Sequence, residues 1–390
     1  MSKQAGRFQA LDAADPYDVC IVGAGLAGSL LGLRCAEAGL RTLLIESGSG
    51  SRGIDAEPRQ PAACEVSGGA GYRPQQRFSG SGGHSQPWDG SCERFEPADF
   101  DVHPYADEHP WPLSYAEVEP YYRRAERVLR VRPSTEAHVQ TRPARRAGGN
   151  RDPLLGAAVA GRAGRRPPVA VPTGGTGRYT ARGELLPRYA ASANGCLVSG
   201  ITVTRLHADR NGRVIGAACR TLGGVEKTAR ANAFVLACGG EQTPRLLLLS
   251  KSRRFPRGLG NDSGWIGRRL GEHVLIRVSG RLGPASPWPA ARRSLQPELH
   301  GLFHSEGLGS IRVLACLPGA LGALHLEHLP AGLRRALIRA CGPRLELGCR
   351  IELKAGEHNR LTLSDSMTDP LGDPAAHFEM NFAPEDRVLI

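Results

Sequence analysis

The chain has 390 residues, 41% of them hydrophobic, which is enough for two globular domains with a large core. The net charge of +12 would suit a nucleic-acid-binding protein, but much of the excess lies in Arg142–Arg166, a glycine-, proline- and arginine-rich stretch without interleaved aromatic residues, so we exclude that class. No apolar run approaches the length of a membrane span and no signal peptide is visible, so we expect a cytoplasmic protein with no membrane partner.

The ten cysteines form no C-x-x-C pair and no metal-ligand spacing. Several stand in apolar surroundings, among them Cys20, Cys219, Cys238 and Cys349. We therefore expect small buried side chains in a reducing compartment, and no metal site.

The first predicted elements are a strand, a glycine-rich turn, a helix and a second strand. Asp18–Val22 is a short apolar run rich in β-branched residues, and Leu26–Ala38 carries apolar residues at helical spacing, with Gly39 placed to end the helix. Thr42–Ile45 is a second apolar strand, which ends in Glu46. With G-x-G-x-x-G between the first strand and the helix, the order is that of a dinucleotide-binding fingerprint.

Each part of this fingerprint has a physical role. Gly23 permits the tight turn, Gly25 lets the backbone approach a pyrophosphate, and Gly28 lets the helix pack against the strand. The helix N-terminus offers N–H groups and the positive end of its dipole to phosphates. Glu46 can accept hydrogen bonds from a ribose diol.

The later elements follow the order of a flavoprotein more than that of a nicotinamide enzyme. A helix is predicted from the N-cap Ser114, with Glu117 completing a capping box, to about Val128. Further predictions are two strand-like runs within Cys196–Cys219 around the hairpin turn Asn211–Gly212, a strand at Ala233–Ala237, a helix at Thr243–Ser250 with Thr243 as N-cap and Pro244 in its first turn, and strands at Leu345–Leu353 and Arg360–Leu363.

Six blocks downstream of the fingerprint resemble those of the glucose-methanol-choline (GMC) oxidoreductases, a resemblance that covers nearly the whole chain and favours the sugar- and polyol-oxidising branch. They are Gly82–Gly90, Arg94–Phe100, Trp111–Tyr122, Val235–Ser250, Gly260–His273 and Asn359–Gly372. The resemblance implies an α/β fold, with an FAD-binding doubly wound (Rossmann-type) domain that carries a β-meander. It also implies an α+β substrate domain with an antiparallel sheet. We place the FAD-binding domain at 14–100 and 178–275, and the substrate domain at 101–177 and 276–390.

The resemblance also implies a set of FAD-binding residues. Ser85 and Trp88 would lie beside the isoalloxazine ring, although an ordinary turn serine and a core tryptophan remain alternatives. Pro87 stands where some relatives have a histidine that links to the flavin, so we expect a non-covalent cofactor, and Asp89 stands where the family has glycine. The other implied contacts are the pyrophosphate region at Gly23, Gly25, Leu26, Ala27, Gly28, Ala237 and Gly239, the adenosine ribose at Glu46, and the adenine edge at Val203.

The implied activity is oxidation of a CH–OH group in a sugar, polyol or similar small-molecule alcohol, with an unidentified electron acceptor. The family continues for on the order of a hundred residues beyond the last block, where it carries its catalytic histidine in an H-x-x-G-T-x-x-M block. That block is absent from these 390 residues, so we expect an incomplete C-terminus and assign no catalytic residue. The alternative is an inactive FAD-binding fragment or one part of a split enzyme; an NAD-dependent dehydrogenase would leave the later blocks unexplained. His84 and His273 fall in two of the blocks, and we expect neither to be catalytic.

Overall fold

A computed structural model of the chain describes residues 8–48, 63–69, 80–88, 90–95, 97–101, 111–132, 170–173, 179–281, 311–316, 344–352, 356–384 and 386. Its helices are α1 (Leu26–Glu37), α2 (Tyr115–Leu129), α3 (Ala181–Glu184), α4 (Leu186–Ala191) and α5 (Gly239–Leu249). Its strands are β1 (Tyr17–Val22), β2 (Thr42–Glu46), β3 (Cys64–Ser67), β4 (Gly195–Ser199), β5 (Thr202–Ala208), β6 (Val214–Arg220), β7 (Glu226–Ala229), β8 (Ala231–Leu236), β9 (His273–Arg281), β10 (Ile311–Cys316), β11 (Arg344–Glu352), β12 (Arg360–Thr368) and β13 (Pro374–Glu379).

A parallel sheet in the order β4-β2-β1-β8 forms the centre of the molecule. Successive side chains of a strand point to opposite faces of the sheet, and in the central strands β1 and β2 both faces are covered. Cys20 and Leu43 belong to the core shared with the β5-β6-β7 meander, whereas Ile21 and Leu44 belong to the core shared with α1 and α4. The predicted fold class is confirmed: a doubly wound parallel sheet carries a β-meander and is joined by the antiparallel sheet β10-β11-β9.

The local signals around α1 and α2 also agree with the structure. Gly39 has a φ of +88°, and the N–H of Leu40 donates to the carbonyl of Cys35 at 3.0 Å, which ends α1 in a Schellman arrangement. Ser114 and Glu117 form the predicted capping box at the start of α2. These ends are set by residues next to them in the chain, so the sequence predicts them well.

Two predicted boundaries are wrong. Helix α5 begins at Gly239, shortly after β8, with Cys238 as its N-cap, so Thr243 is not its N-cap and Pro244 lies inside the helix. Gly239, with a φ of +84°, turns the chain from strand into helix, and Pro244 leaves one backbone hydrogen bond unmade. The region Cys196–Cys219 holds parts of three strands, because β4 joins the parallel sheet before the predicted hairpin of β5 and β6 begins.

A further sheet, β12-β13-β3, joins distant parts of the chain. Strand β13 pairs in parallel with β3 and antiparallel with β12, and Leu361 and Phe378 are buried between them and α5. The sheet thus hydrogen-bonds strands from both predicted domains, whose boundaries stay a prediction.

Seven cysteines have described side chains, and none of the seven is in a disulfide bond; the side chain of Cys349 lies outside the described part. Cys20 and Cys219 are buried as expected, and burial raises the pKa of the Cys219 thiol to about 12, whereas Cys238 is half-buried. Across the described part of the chain, we find no cluster of three or more His, Cys, Asp or Glu side chains that could hold a metal ion. None of the described helices combines the length and the apolar character needed to cross a membrane.

Candidate nucleotide-binding site

A cavity of about 1060 Å³ opens at the carboxyl ends of β1, β2 and β8, where ligands bind in open α/β sheets. Its size suits a large cofactor, since ligand pockets typically occupy roughly 300–1,000 Å³. Nearly all of the predicted cofactor-binding residues line it: Gly23, Gly25, Leu26, Ala27, Glu46, Ser85, Trp88, Val203, Ala237 and Gly239.

Gly28 does not line the cavity but lies beneath the glycine turn. A Cβ on Gly28 would lie 2.0 Å from the carbonyl oxygen of Gly23, so no side chain fits between α1 and the turn. Gly23 itself has a φ of +103°, and a Cβ there would lie 2.5 Å from the carbonyl oxygen of Ala237. These two glycines therefore set the close contact between β1, α1 and the end of β8.

Gly25 differs from both, because the space beside it is open. A Cβ on Gly25 would meet no heavy atom within 4 Å, and its φ of −70° is one that any residue adopts. Gly25 precedes α1, and the first turn of α1, with Leu26 and Ala27, lines the cavity. The N–H groups of that turn have no carbonyl partner within the helix, so the open space and the helix terminus together fit a pyrophosphate.

Glu46 is a buried carboxylate at the end of β2, held by backbone donors. Its Oε2 accepts from the N–H of Ala24 at 2.9 Å, and its Oε1 accepts from the N–H of Gly48 at 2.7 Å. Oε1 also accepts from the Oγ of Ser47 at 3.3 Å, whereas Oε2 keeps a further lone pair that could accept from a ribose hydroxyl. The carbonyl of Glu46 accepts from the N–H of Gly200 at 2.9 Å, which fixes the chain where it approaches β5.

Ser85 and Trp88 lie in a loop, residues 80–88, that is docked against the glycine turn. The Oγ of Ser85 donates to the carbonyl of Gly82 at 2.5 Å and accepts from the N–H of Ala181 at 2.9 Å. The indole N–H of Trp88 donates to the carbonyl of Tyr179 at 2.6 Å. Both side chains have structural partners, so their contact with a flavin ring stays a prediction, and Asp89 lies outside the described residues.

The cavity lining also contains residues for which the sequence predicted no role. Besides the predicted Val203, they include Thr204 of β5, Leu222, Arg245 of α5 and the loop Asp369–Asp373 between β12 and β13. Arg245 and Asp369 fall within two of the blocks that resemble the family, Val235–Ser250 and Asn359–Gly372, but the resemblance implied no role for either residue.

The two candidate histidines are differently placed. His84 lines the cavity at the edge of the loop 80–88 and is exposed; among the described residues it is the only histidine in the lining. His273 begins β9 away from the cavity, with 60% of its side chain exposed and its Nδ1 3.8 Å from the carboxylate of Glu272. The hydrogen bond with His273 lowers the pKa of Glu272. The structure therefore offers His84, and not His273, to a ligand.

Comparison with known proteins agrees with this geometry. Residues 95–275 match the family model described as GMC oxidoreductase, and residues 18–63 match the model described as FAD binding domain. A paromamine 6'-oxidase of Streptomyces fradiae is 30% identical over 415 residues, which cover 95% of this chain and 73% of that protein. A 6'''-hydroxyparomomycin C oxidase of Streptomyces lividus is 29% identical over 306 residues, which cover 68% of this chain but only 56% of the relative.

Among solved structures, the fold resembles that of pyridoxine 4-oxidase from Mesorbium loti. The TM-score is 0.57 at 19% sequence identity, over 93% of this chain and 75% of that one. At this identity the likeness concerns the fold alone.

Proposed function

This chain belongs to the GMC oxidoreductase family, and we propose that it binds FAD non-covalently and oxidises a CH–OH group of a sugar, polyol or aminoglycoside-like alcohol. One observation carries the proposal: an open glycine turn, a helix N-terminus and the buried carboxylate of Glu46 meet in a single cavity. The names of the two relatives, both oxidases of paromamine-type compounds, support the substrate class.

The described residues have distinct parts in holding this cofactor. The first turn of α1 would donate N–H groups to the pyrophosphate, next to the open space at Gly25. Glu46 would accept from the adenosine ribose, and Val203 would meet the adenine. Pro87 supports the non-covalent proposal, because its ring has no nucleophilic atom that could bond to the flavin.

FAD, when bound, supplies the hydride acceptor for alcohol oxidation. The protein must then position the alcohol and accept its hydroxyl proton. The docked loop 80–88 is the described wall of the cavity nearest the glycine turn, since a Cβ on Gly83 would lie 3.1 Å from the Cα of Gly25. His84 in this loop is the first residue to test as the proton acceptor, although its equivalent in the family is small or apolar.

A second candidate function is a flavin-binding unit that does not turn over alone. The supporting observation is that the described lining of the cavity contains one imidazole, that of the exposed His84, and no hydrogen bond orients it in the described part of the chain. Such a unit would bind FAD normally but would reduce dye only with a second polypeptide that supplies the base.

The test is to purify the 390-residue chain and record its visible spectrum. We expect a flavin spectrum, intact FAD released by acid, and dye reduction with amino sugars, sugars or polyols. FAD without dye reduction, restored by adding a C-terminal segment of a relative, would favour the second candidate. Flavin that stays on the precipitated polypeptide would contradict non-covalent binding.

A further inference from the structure

The loop Asp369–Asp373 joins β12 to β13 and forms the wall of the cavity at its far end. We propose that this loop, anchored by Arg245 and Arg220, covers the adenosine end of the bound dinucleotide and makes the site selective for FAD over FMN. The inference rests on the proposed function.

The loop is already folded by its own hydrogen bonds. Oδ1 of Asp369 accepts from the N–H groups of Leu371, at 2.8 Å, and of Asp373, at 3.0 Å. The N–H of Asp369 donates to the carbonyl of Asp373 at 2.8 Å, and Gly372 closes the turn with a φ of +83°. Because these hydrogen bonds lie within the loop itself, the turn needs no ligand to satisfy them, and little ordering would be needed on binding.

Arg245 joins this loop to α5. Its Nη2 lies 2.7 Å from Oδ2 of Asp369 and also donates to the carbonyl of Pro374 at 2.7 Å, while its Nε donates to the same carbonyl at 3.0 Å. The side chains of Arg245 and Asp369 are only 11% and 14% exposed. Removing one partner would leave a mostly buried charge, so the loop should leave its position when either residue is changed.

Arg220 places the loop on the adenosine side. Its Nη1 donates to the carbonyl of Leu371 at 2.9 Å, and its Nη1 lies 3.8 Å from Oδ2 of Asp373. Arg220 ends β6, where it pairs in register with Thr202, the residue before Val203. The carbonyl of Glu46 accepts from the N–H of Gly200, just before the same strand, so Arg220 ties the loop to the strand that follows the ribose-binding carboxylate along the site.

The side chains at this end combine an apolar surface with polar groups, among them the buried Oδ2 of Asp373, which has no hydrogen-bond partner in the described part of the chain. Pro370, Leu371 and Leu222 line the cavity, and Leu222 is 65% exposed although it is a large hydrophobic residue. A purine face laid against them would remove apolar surface from water, whereas FMN has no adenosine and would not reach them. The chemistry therefore points to the adenosine half of an adenine dinucleotide as the occupant.

The experiment is to remove the flavin from the full chain and titrate it with FAD and, separately, with FMN. Variants are Arg245→Ala, Asp369→Asn and Leu371→Asp. The matched control is Arg360→Ala, which breaks the 2.7 Å pair between Arg360 and Glu379 in the same hairpin but outside the cavity. We expect FAD affinity to fall roughly 10–100-fold in the three variants, the size of one lost charged hydrogen bond or its equivalent, with FMN affinity unchanged. The control should keep its affinity for both.

The outcomes separate the two levels of the argument. A wild-type chain that binds no flavin would overturn the proposed function and this inference with it. If the wild type binds FAD but the variants keep its affinity, or lose FAD and FMN equally, the adenosine cover is wrong while the proposed function stands. Unfolding is recorded for each variant; should Arg245→Ala fail to fold, Leu371→Asp, in which both anchors remain, decides the question by the same FAD-to-FMN comparison.

Discussion

The two ends of the cavity are built by different means. At the glycine turn the wall is backbone: Gly23 and Gly28 allow contacts of main chain with main chain, and the donors are N–H groups. At the far end the wall is a loop from 369 to 373, held by the side chains of Arg245 and Arg220 from two other elements. The comparison shows that one site can combine two kinds of wall. The glycine turn is formed by residues close together in the chain, whereas the loop 369–373 is held by residues that meet only after the chain has folded.

The first expected effect, and the largest, is on cofactor affinity at Gly25. The change Gly25→Val should leave the fold intact, because the backbone there suits any residue and the space is open, but it should place a side chain where the pyrophosphate lies. We expect FAD affinity to fall more than about 100-fold, the scale of several lost phosphate hydrogen bonds, as measured by fluorescence titration. Unchanged flavin content in this variant would show that the glycine turn does not bind the pyrophosphate.

At Gly28 we expect a loss of stability, whereas at Gly25 we expect a loss of FAD affinity. A methyl group in Gly28→Ala would clash with the Gly23 carbonyl, and overpacking of this kind costs about 3 kcal/mol. Chemical denaturation measures it. The control is Gly32→Ala in the same helix, whose added Cβ would meet side-chain atoms only, the ring of Tyr189 at 3.3 Å and Cδ1 of Ile21 at 3.5 Å, and should cost less. Equal losses in the two variants would contradict the close contact.

Glu46 serves both the fold and the ligand, and its substitution tests both roles. In Glu46→Gln an amide NH₂ would face a backbone N–H, so we expect a loss of about 2 kcal/mol in unfolding free energy and weaker FAD binding. Thermal unfolding with and without FAD separates the two losses. A variant as stable as the wild type would show that the carboxylate charge is not needed.

The smallest effect concerns an ion pair away from the cavity. Arg94 contacts Glu126 through two nitrogens, at 2.5 and 2.6 Å, and these hydrogen bonds lower the pKa of Glu126. A lowered pKa in the folded state stabilises the protein above the unfolded pKa, about 4.3, and the contribution is lost as pH falls further. Glu126→Gln should therefore cost less than about 1 kcal/mol at pH 7, because the pair is partly exposed, and the cost should be smaller near pH 3, since it shrinks as the pH falls from the unfolded pKa through the lowered folded pKa. Unfolding curves at both pH values check this, and FAD affinity should not change.

The same contrast explains what the sequence could predict. The strands β1 and β2, helix α1 and the roles of the three glycines follow from residues adjacent in the chain. The start of α5 was missed because a proline suggested a first turn, whereas the chain turns into the helix at Gly239. No local signal indicated the role of Arg245, since its partner Asp369 is 124 residues away and the two meet only in the folded chain.

The most direct test of the central claim, that this cavity holds an adenine dinucleotide flavin, is a titration of the flavin-free chain with FAD and NAD⁺ by calorimetry. We predict stoichiometric binding of FAD at micromolar concentration or below, with NAD⁺ at least roughly 100-fold weaker, a difference of about 2.7 kcal/mol. Tighter binding of NAD⁺ than of FAD, or thermal stabilisation by NAD⁺ alone, would contradict the account.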